Sequence, residues 1–473
     1  MKKILLSMVM PVMVITKTFT QTPGTIDNTF NTGSGPNAGV RAVAIQSDGK
    51  ILIGGNFTSF NGTANINRIA RLNTNGTIDA GFTTGTGADN SIYAVGLQSN
   101  GKIIIAGNFQ NYNGTPIVRI ARLNTNGTLD NTFNPGTSAD GIIRSIAIQN
   151  DDKIIIVGSF NNFNGTGRNN IARLNADGSL DATYNPGTGT NALIYTVKLQ
   201  TDGKAVIGGL FTTYNGTARA CVARINTNGS LDTSFDPGTG VTGGASPVVN
   251  SLDISSTGKI VIAGAFNMFN GTTRNKIALL NADGSLDNSF NPNQGPGAAV
   301  NGLAIQPDGK VIITGAFTSY DGNTRNYIAR IQANGSLDFT FSIGSGMSDL
   351  GYTVVFQSDG KALIGGEQMN YNGTSRPFIT RINAYNITNV HENNTMAVSV
   401  YPNPTAGDIN IKLSEKFSNV IVDIVDIAGK HILKSNNNYT DVIRINISNH
   451  PAGIYFITLR DENNTKTFKI IKD

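Results

Sequence analysis

The chain has no tryptophan and only one cysteine in 473 residues. A lone Cys221 cannot form an internal disulfide. It lies in the apolar stretch "RACVARIN", where a buried core thiol is expected rather than a nucleophile. Histidine is almost as scarce: the three are His391, His431 and His450, and residues 21–384 hold one glutamate, Glu367. Neither a Ser-His-Asp or Cys-His arrangement nor a histidine-ligated zinc site can be assembled over that stretch. Charged residues make up 14% of the chain, with a formal net charge of +5. They are spread thinly, and no basic patch points to nucleic acid. Apolar runs of helical period are absent after the first 16 residues, which excludes a transmembrane segment. Those 16, "MKKILLSMVMPVMVIT", read as a secretory signal peptide over residues 1–20.

Glycine, by contrast, is abundant, at 55 residues. Short β-branched runs alternate with Gly/Asn/Asp clusters, which is an all-β pattern. "DGKILIGGNF" (48–57) recurs, with its lysine at Lys50, Lys102, Lys153, Lys204, Lys259, Lys310 and Lys361. Such a period means a repeat architecture. One unit, residues 40–82, divides into strand a ("VRAVAIQ"), strand b ("KILIGGNF"), a loop with "NGT", strand c ("RIARLN") and strand d ("TIDAGF"). Asp48-Gly49 and Asn75-Gly76 predict tight type I′ hairpins. Four antiparallel strands per unit predict a β-propeller blade, and seven copies predict seven blades. The chain enters on a spare strand d and leaves after a seventh strand c. Closure is therefore expected by pairing residues 25–30 with 378–384, covering an open edge.

The pattern "LDxxFNPGTG…IQxDGKxxIGGxFxxxNGTxRxxIARLNxxG" resembles the delta-60 repeat family, a propeller-like repeat of secreted bacterial proteins. The resemblance covers residues 24–384 and implies a fold more than an activity. The Trp-bearing signatures of WD, kelch, quinoprotein and sialidase propellers are missing.

Several motifs invite a chemical reading. Gly54-Gly55 lies between two strands, with no helix N-terminus to bind phosphate, so close backbone packing is expected. "GTGTNA" (187–192) likewise lacks the helix of a dinucleotide site. "NADGSLD" (175–181) looks like part of a calcium loop, but its copies offer too few carboxylates. No cofactor is expected, with calcium there as the alternative. The "NGT" triplets read as turns. Before them stand Phe60, Tyr112, Phe163, Tyr214, Phe269, Tyr320 and Tyr371: a ring of sugar-stacking platforms, or plugs of the core, which burial habits favour. Arg168, Arg219, Arg274, Arg325 and Arg376, in the b–c loops, are further candidates for ligand contact. A second arginine series ends "IAR" in strand c and is expected to pair with the aspartate across the c–d turn. The fifth copy has Leu279 instead.

After a polar linker (385–395) the texture changes. Residues 396–473 read as a small β-sandwich. "YPNP" (Tyr401, Pro402, Asn403, Pro404), "DIAGK" with Gly429 and Lys430, "GIYF" with Gly453, Ile454 and Tyr455, and "KIIK" from Lys469 to Lys472 resemble the type A sorting domain of the Bacteroidetes type IX secretion system. That resemblance implies passage through the periplasm, the type IX machinery as partner, and release or anchoring at the outer-membrane surface. The expected function is a non-enzymatic module binding carbohydrate or protein. Its site is expected on the face where the d–a and b–c loops emerge, first at the long insertion 236–249. The alternatives are a hydrolase or lyase using channel aspartates, and a structural or adhesive surface component.

Overall fold

A computed structural model describes residues 21–385 and 398–473, except 418–419, 428–429, 438–439 and 461–464. The signal peptide, nearly all of the linker, His391 and Gly429 lie outside the described residues. The chain divides into two units, Met1–Asn386 and Ile387–Asp473. All the regular elements described are strands.

In the first unit, strand a runs over Val40–Ile45, Ile92–Leu97, Ile142–Ile148, Ile194–Leu199, Val248–Ile254, Val300–Ile305 and Gly351–Phe356. Each pairs antiparallel with its strand b, and b with c. In the first repeat b is Ile51–Gly55 and c is Ile69–Leu72, with Leu52 between Ala44 and Arg71. Strands b and c are buried almost throughout, because blades cover both faces. Strand b of one blade lies against strand a of the next, and the strands a lie side by side around the axis. The glycine pair makes this approach close. A Cβ on Gly54 would stand 2.7 Å from Ile92 Cγ2 of the next blade, and one on Gly55 2.1 Å from Gly39 O.

Two local expectations need correction. The a–b and c–d turns are not two-residue type I′ hairpins. Gly49 N–H bonds Gln46 O, Gln46 N–H bonds Lys50 O, and positive φ falls on Gly49 but not Asp48. That is a three-residue loop, a type I turn closed by a left-handed glycine. The turn with two positive φ values is "NGT": Asn61 at 50° and Gly62 at 74°, flanked by the Phe60–Thr63 pair. The second correction concerns strand d, which shrinks to one bridged residue per blade, as Leu72–Ile78 and Leu123–Leu129. The "LDxxF" aspartate is the reason. Asp79 Oδ1 accepts Gly81 N–H at 2.9 Å, and such an Asx turn competes with the ladder.

The N-terminal segment meets the seventh blade in the same manner. Ile26 bridges Ile382, Gly24 N–H bonds Asn383 O, and Asp27 N–H bonds Arg381 O. Strand a of the first blade lies against strands a and b of the seventh.

The second unit has two antiparallel sheets. One holds Val398–Tyr401, Asp408–Phe417 and Thr440–Asn446; the other holds His431–Asn437, Val420–Asp426, Gly453–Arg460 and Thr465–Lys472. Ile409, Ile411 and Ile445 of the first share one core with Val422, Ile457 and Leu459 of the second.

Candidate functional site

The recurring charges are spent on structure. Asp79 Oδ2 takes both Lys50 Nζ at 2.9 Å and Arg71 Nε at 2.7 Å. The set repeats with Asp130, Asp181, Asp232 and Asp338, and in the seventh blade with Asp27, which Arg381 Nε reaches at 2.6 Å. The fifth blade keeps Lys259–Asp287 at 2.6 Å without an arginine. Each arginine also bonds a carbonyl just after strand c of the next blade, as Arg122 Nη1 to Ala176 O and Arg381 Nη1 to Thr74 O, both at 2.6 Å. The guanidinium stacks besides on the strand-d aromatic, as Arg71 on Phe82 at 4.8 Å. These carboxylates sit below their ordinary pKa, the opposite of what an acid catalyst needs. Among the described residues no three His, Cys, Asp or Glu side chains gather as a metal site. The clustered channel carboxylates that a hydrolase or lyase reading requires are likewise not formed there. The strands a carry one acid, Asp253, which pairs with Lys198 at 3.3 Å. Cys221 is buried, and burial pushes its thiol up to about 12.

The aromatic platform is corrected. Phe60, Tyr112, Phe163, Tyr214, Phe269, Tyr320 and Tyr371 are all at most 1% exposed, so no ring face is open to a sugar. The tyrosine hydroxyls point inward: Tyr112 donates to Gly127 O, Tyr214 to Gly229 O, Tyr320 to Gly335 O and Tyr371 to Gly24 O. Tyr320→Phe should cost about 1 kcal/mol, seen as a lower urea midpoint, with ligand binding unchanged. The "NGT" asparagine is engaged too: Asn61 Oδ1 accepts Gly35 N–H at 2.8 Å, tying the d–a loop to the b–c hairpin. The loop arginines Arg168, Arg219, Arg274, Arg325 and Arg376 each donate Nη1 to the preceding carbonyl while Nε stays buried without a partner. Arg274 is buried and the others partly exposed, and Arg325 lies over Phe339. The insertion adds a short strand, Val241–Thr242, against Met268–Phe269.

The sevenfold regularity also breaks near the start of strand a. Every strand a carries a β-bulge after its first or second paired position, for example between Val40 and Ala42 and between Ile143 and Ser145. The bulged residues are Arg41, Tyr93, Arg144, Tyr195, Asn250, Asn301 and Tyr352, and all are partly exposed. A bulge leaves its residue outside the ladder and re-aims the side chain. Here it sets seven polar side chains around the axis, at the end where the d–a and b–c loops meet. Five form one stacked arc. Arg41 lies 4.3 Å from the Tyr352 ring centroid and 5.7 Å from Tyr93; Arg144 lies 4.6 Å from Tyr93 and 5.8 Å from Tyr195. Asn250 and Asn301 complete the circle, each donating its amide to strand a of the next blade. Glu367 stands 3.7 Å from Arg41 and hydrogen-bonds Tyr352, whose pKa is raised chiefly by burial. The sequence signal was present: an arginine, tyrosine or asparagine second or third in an apolar strand, different from copy to copy.

A family model described as a domain of unknown function (DUF5122) β-propeller matches residues 46–82, 98–133, 149–184, 200–235, 255–290, 306–341 and 357–386, more than half of the chain. The chain belongs to the DUF5122 propeller family. The match is to that family rather than under the delta-60 name. In this DUF5122 propeller, residues 399–473 match the secretion system C-terminal sorting domain. That domain marks a protein exported to the cell surface or beyond by type IX secretion. No helix of the described residues is long and apolar enough to cross a membrane.

An endo-acting ulvan lyase of Formosa agariphila is 41% identical over 83 residues, 17% of this chain and 16% of that protein. The chain thus spans about a sixth of that relative's length. Among solved structures, a catalytically inactive virginiamycin B lyase from Staphylococcus aureus is 14% identical at a TM-score of 0.38, over 75% of this chain and 97% of that one. A DUF3244 family protein with an immunoglobulin-like β-sandwich fold from Bacteroides vulgatus is 19% identical at 0.16, over 17% and 88%. Neither likeness is close enough to carry an argument.

The sorting-motif residues form one cluster at the last strand. Asn403 Nδ2 donates to Lys469 O, and Asn403 Oδ1 accepts Ile471 N–H, both at 2.9 Å. Thr405 bridges Lys472, which is buried, whereas Lys469 and Tyr401 are exposed. Lys430 N–H bonds Asp426 Oδ1, and Tyr455 donates its hydroxyl to Pro451 O.

Proposed function

We propose that this secreted or surface-exposed DUF5122 propeller is a non-enzymatic binding module for carbohydrate or protein, with its ligand held at the axial mouth formed by the bulged residues. One observation carries the reading. Positions that build the blade repeat from copy to copy, while the bulge position presents arginine, tyrosine and asparagine in turn, partly open to solvent around the axis. A side chain freed from packing and half open to solvent is available for contact. The ring closes through the pairing of residues 24–27 with 381–383, which holds the mouth rigid. The two-sheet tail is a sorting β-sandwich that hands the chain to the type IX machinery, for release or anchoring outside. A glycan array and surface-protein panel probed with the full mature chain tests this. Retention on its ligand should fall at least tenfold with Tyr195→Ala or Asn301→Ala and stay level with Arg325→Gln. Retention unchanged by the mouth substitutions would end the reading.

A further inference from the structure

The axial mouth holds more positive charge than its neighbours balance. Arg144 makes no hydrogen bond or ion pair among the described residues. Its Nε is buried without a partner, and its guanidinium touches only the rings of Tyr93 and Tyr195. A partly buried cation without an acceptor is costly unless an anion arrives. Arg41 has weak company: Asn56 Oδ1 at 3.3 Å, Glu367 at 3.7 Å and the Tyr352 hydroxyl.

A second tier of cations stands beside the first, at the residue that opens strand c. Arg68 donates to Asn56 O, so Asn56 joins it to Arg41. Arg119 donates to Asn108 O and Lys276 to Asn267 Oδ1. None of these three has a carboxylate within ion-pair distance among the described residues. Asp89 acts on Arg68 from further off, with its own oxygens taken by Gln110 and Asn111. Burial lowers the pKa of Arg68 and Lys276, which marks cations still short of a partner. The Nε atoms of Arg68 and Arg119 are buried and unbonded as well.

We infer that the axial mouth binds an oxyanion-bearing glycan, a carboxylated or sulfated polysaccharide segment, with Arg144 and Arg41 on its acidic groups and the Tyr93 and Tyr195 hydroxyls and Asn250 amide on its sugar hydroxyls. This rests on the mouth being the binding site. Two further observations favour a glycan over single-stranded nucleic acid. Guanidinium groups lie 4.6 Å from the Tyr93 centroid and 4.3 Å from that of Tyr352, so these two rings are already partly taken as stacking platforms for bases. The sorting domain also sends the chain outside the cell, away from the cell's own nucleic acid.

The test is calorimetry on the full mature chain with polygalacturonate, chondroitin sulfate, neutral dextran and a single-stranded thymidine oligonucleotide. One or both acidic glycans should bind, and which one binds separates carboxylate from sulfate. Arg144→Gln and Arg41→Gln should each weaken binding at least about tenfold, with affinity falling as salt rises. Arg144→Gln breaks no hydrogen bond or ion pair among the described residues, so its melting temperature should stay close to that of the parent chain and serve as the folding control. Dextran bound as well as the acidic glycans, with Arg144→Gln silent and Tyr195→Ala harmful, would overturn the anionic class and leave the mouth as the site. Oligonucleotide bound more tightly than either glycan would overturn it in favour of nucleic acid. No binding by any of the four would overturn it outright.

Discussion

Replacing Asp338 with alanine lowers the free energy of unfolding by about 3–5 kcal/mol, read as a large drop in urea midpoint. Asp338 is fully buried. Its Oδ2 takes Arg330 Nε at 2.8 Å and Lys310 Nζ at 3.1 Å, and its Oδ1 takes the amide and hydroxyl of Thr340. Truncation leaves Arg330, 3% exposed, as an uncompensated charge. That guanidinium also bonds Ala384 O of the next blade, so the damage falls on a seam between blades. The fifth blade supplies the comparison. It keeps its aspartate and lysine but has leucine for the arginine. Arg330→Leu should therefore cost clearly less than Asp338→Ala. Equal losses, or a loss below about 1 kcal/mol for the aspartate, would show that the pair is not buried as described.

Acid should unfold the propeller over a window set by the same groups. Asp27, Asp79, Asp287 and Asp338 are each lowered to about 2. For Asp79 and Asp287 the leading cause is the hydrogen bond from the blade's own lysine. For Asp27 and Asp338 burial pushes upward, and bonds from the Thr29 and Thr340 hydroxyls, from lysine and from arginine outweigh it. Asp130, Asp181 and Asp232 are lowered by the same partners against the same burial. A carboxylate with a depressed folded pKa contributes its full stability above its unfolded value. That contribution is lost as pH falls through the folded value. Thermal unfolding between pH 7 and 2 should thus show a plateau down to about pH 5, then a steep fall towards pH 2 as the aspartates protonate. A melting temperature flat from pH 5 to 2 would contradict these ion pairs.

Much of the fold could be read from the chain because the repeats state it seven times. The period, the strand order within a blade and the role of Gly54-Gly55 all follow from spacing and composition. The arginine–aspartate pairing followed too, since residues facing each other across a short hairpin have few other partners. The lysine of "DGK" was missed as the third member, because its partner lies 29 positions on, across strands b and c. Strand d was overestimated. "LDxxF" alternates like a strand, but its aspartate bends its own backbone. The Asp48-Gly49 and Asn75-Gly76 turns were matched to the wrong class, since glycine alone does not say whether the residue before it also takes positive φ. At the site, the aromatics before "NGT" were noticed because they recur, and recurrence was the mark of core. The bulged residues were passed over for differing between copies, which is where a ligand would be met.

The bulge also bears on how such a protein can change over generations. Tandem duplication yields identical units, and most later substitutions in a unit disturb a neighbour's packing. One residue per blade escapes this, because it has no register partner in the ladder and a half-open environment. Seven such positions can drift separately, like the tumblers of a lock, while the barrel that carries them stays the same. Arg41, Tyr93, Arg144, Tyr195, Asn250, Asn301 and Tyr352 are one setting of that lock. A new specificity would then require changes at a few axial residues, without a new fold or a longer loop.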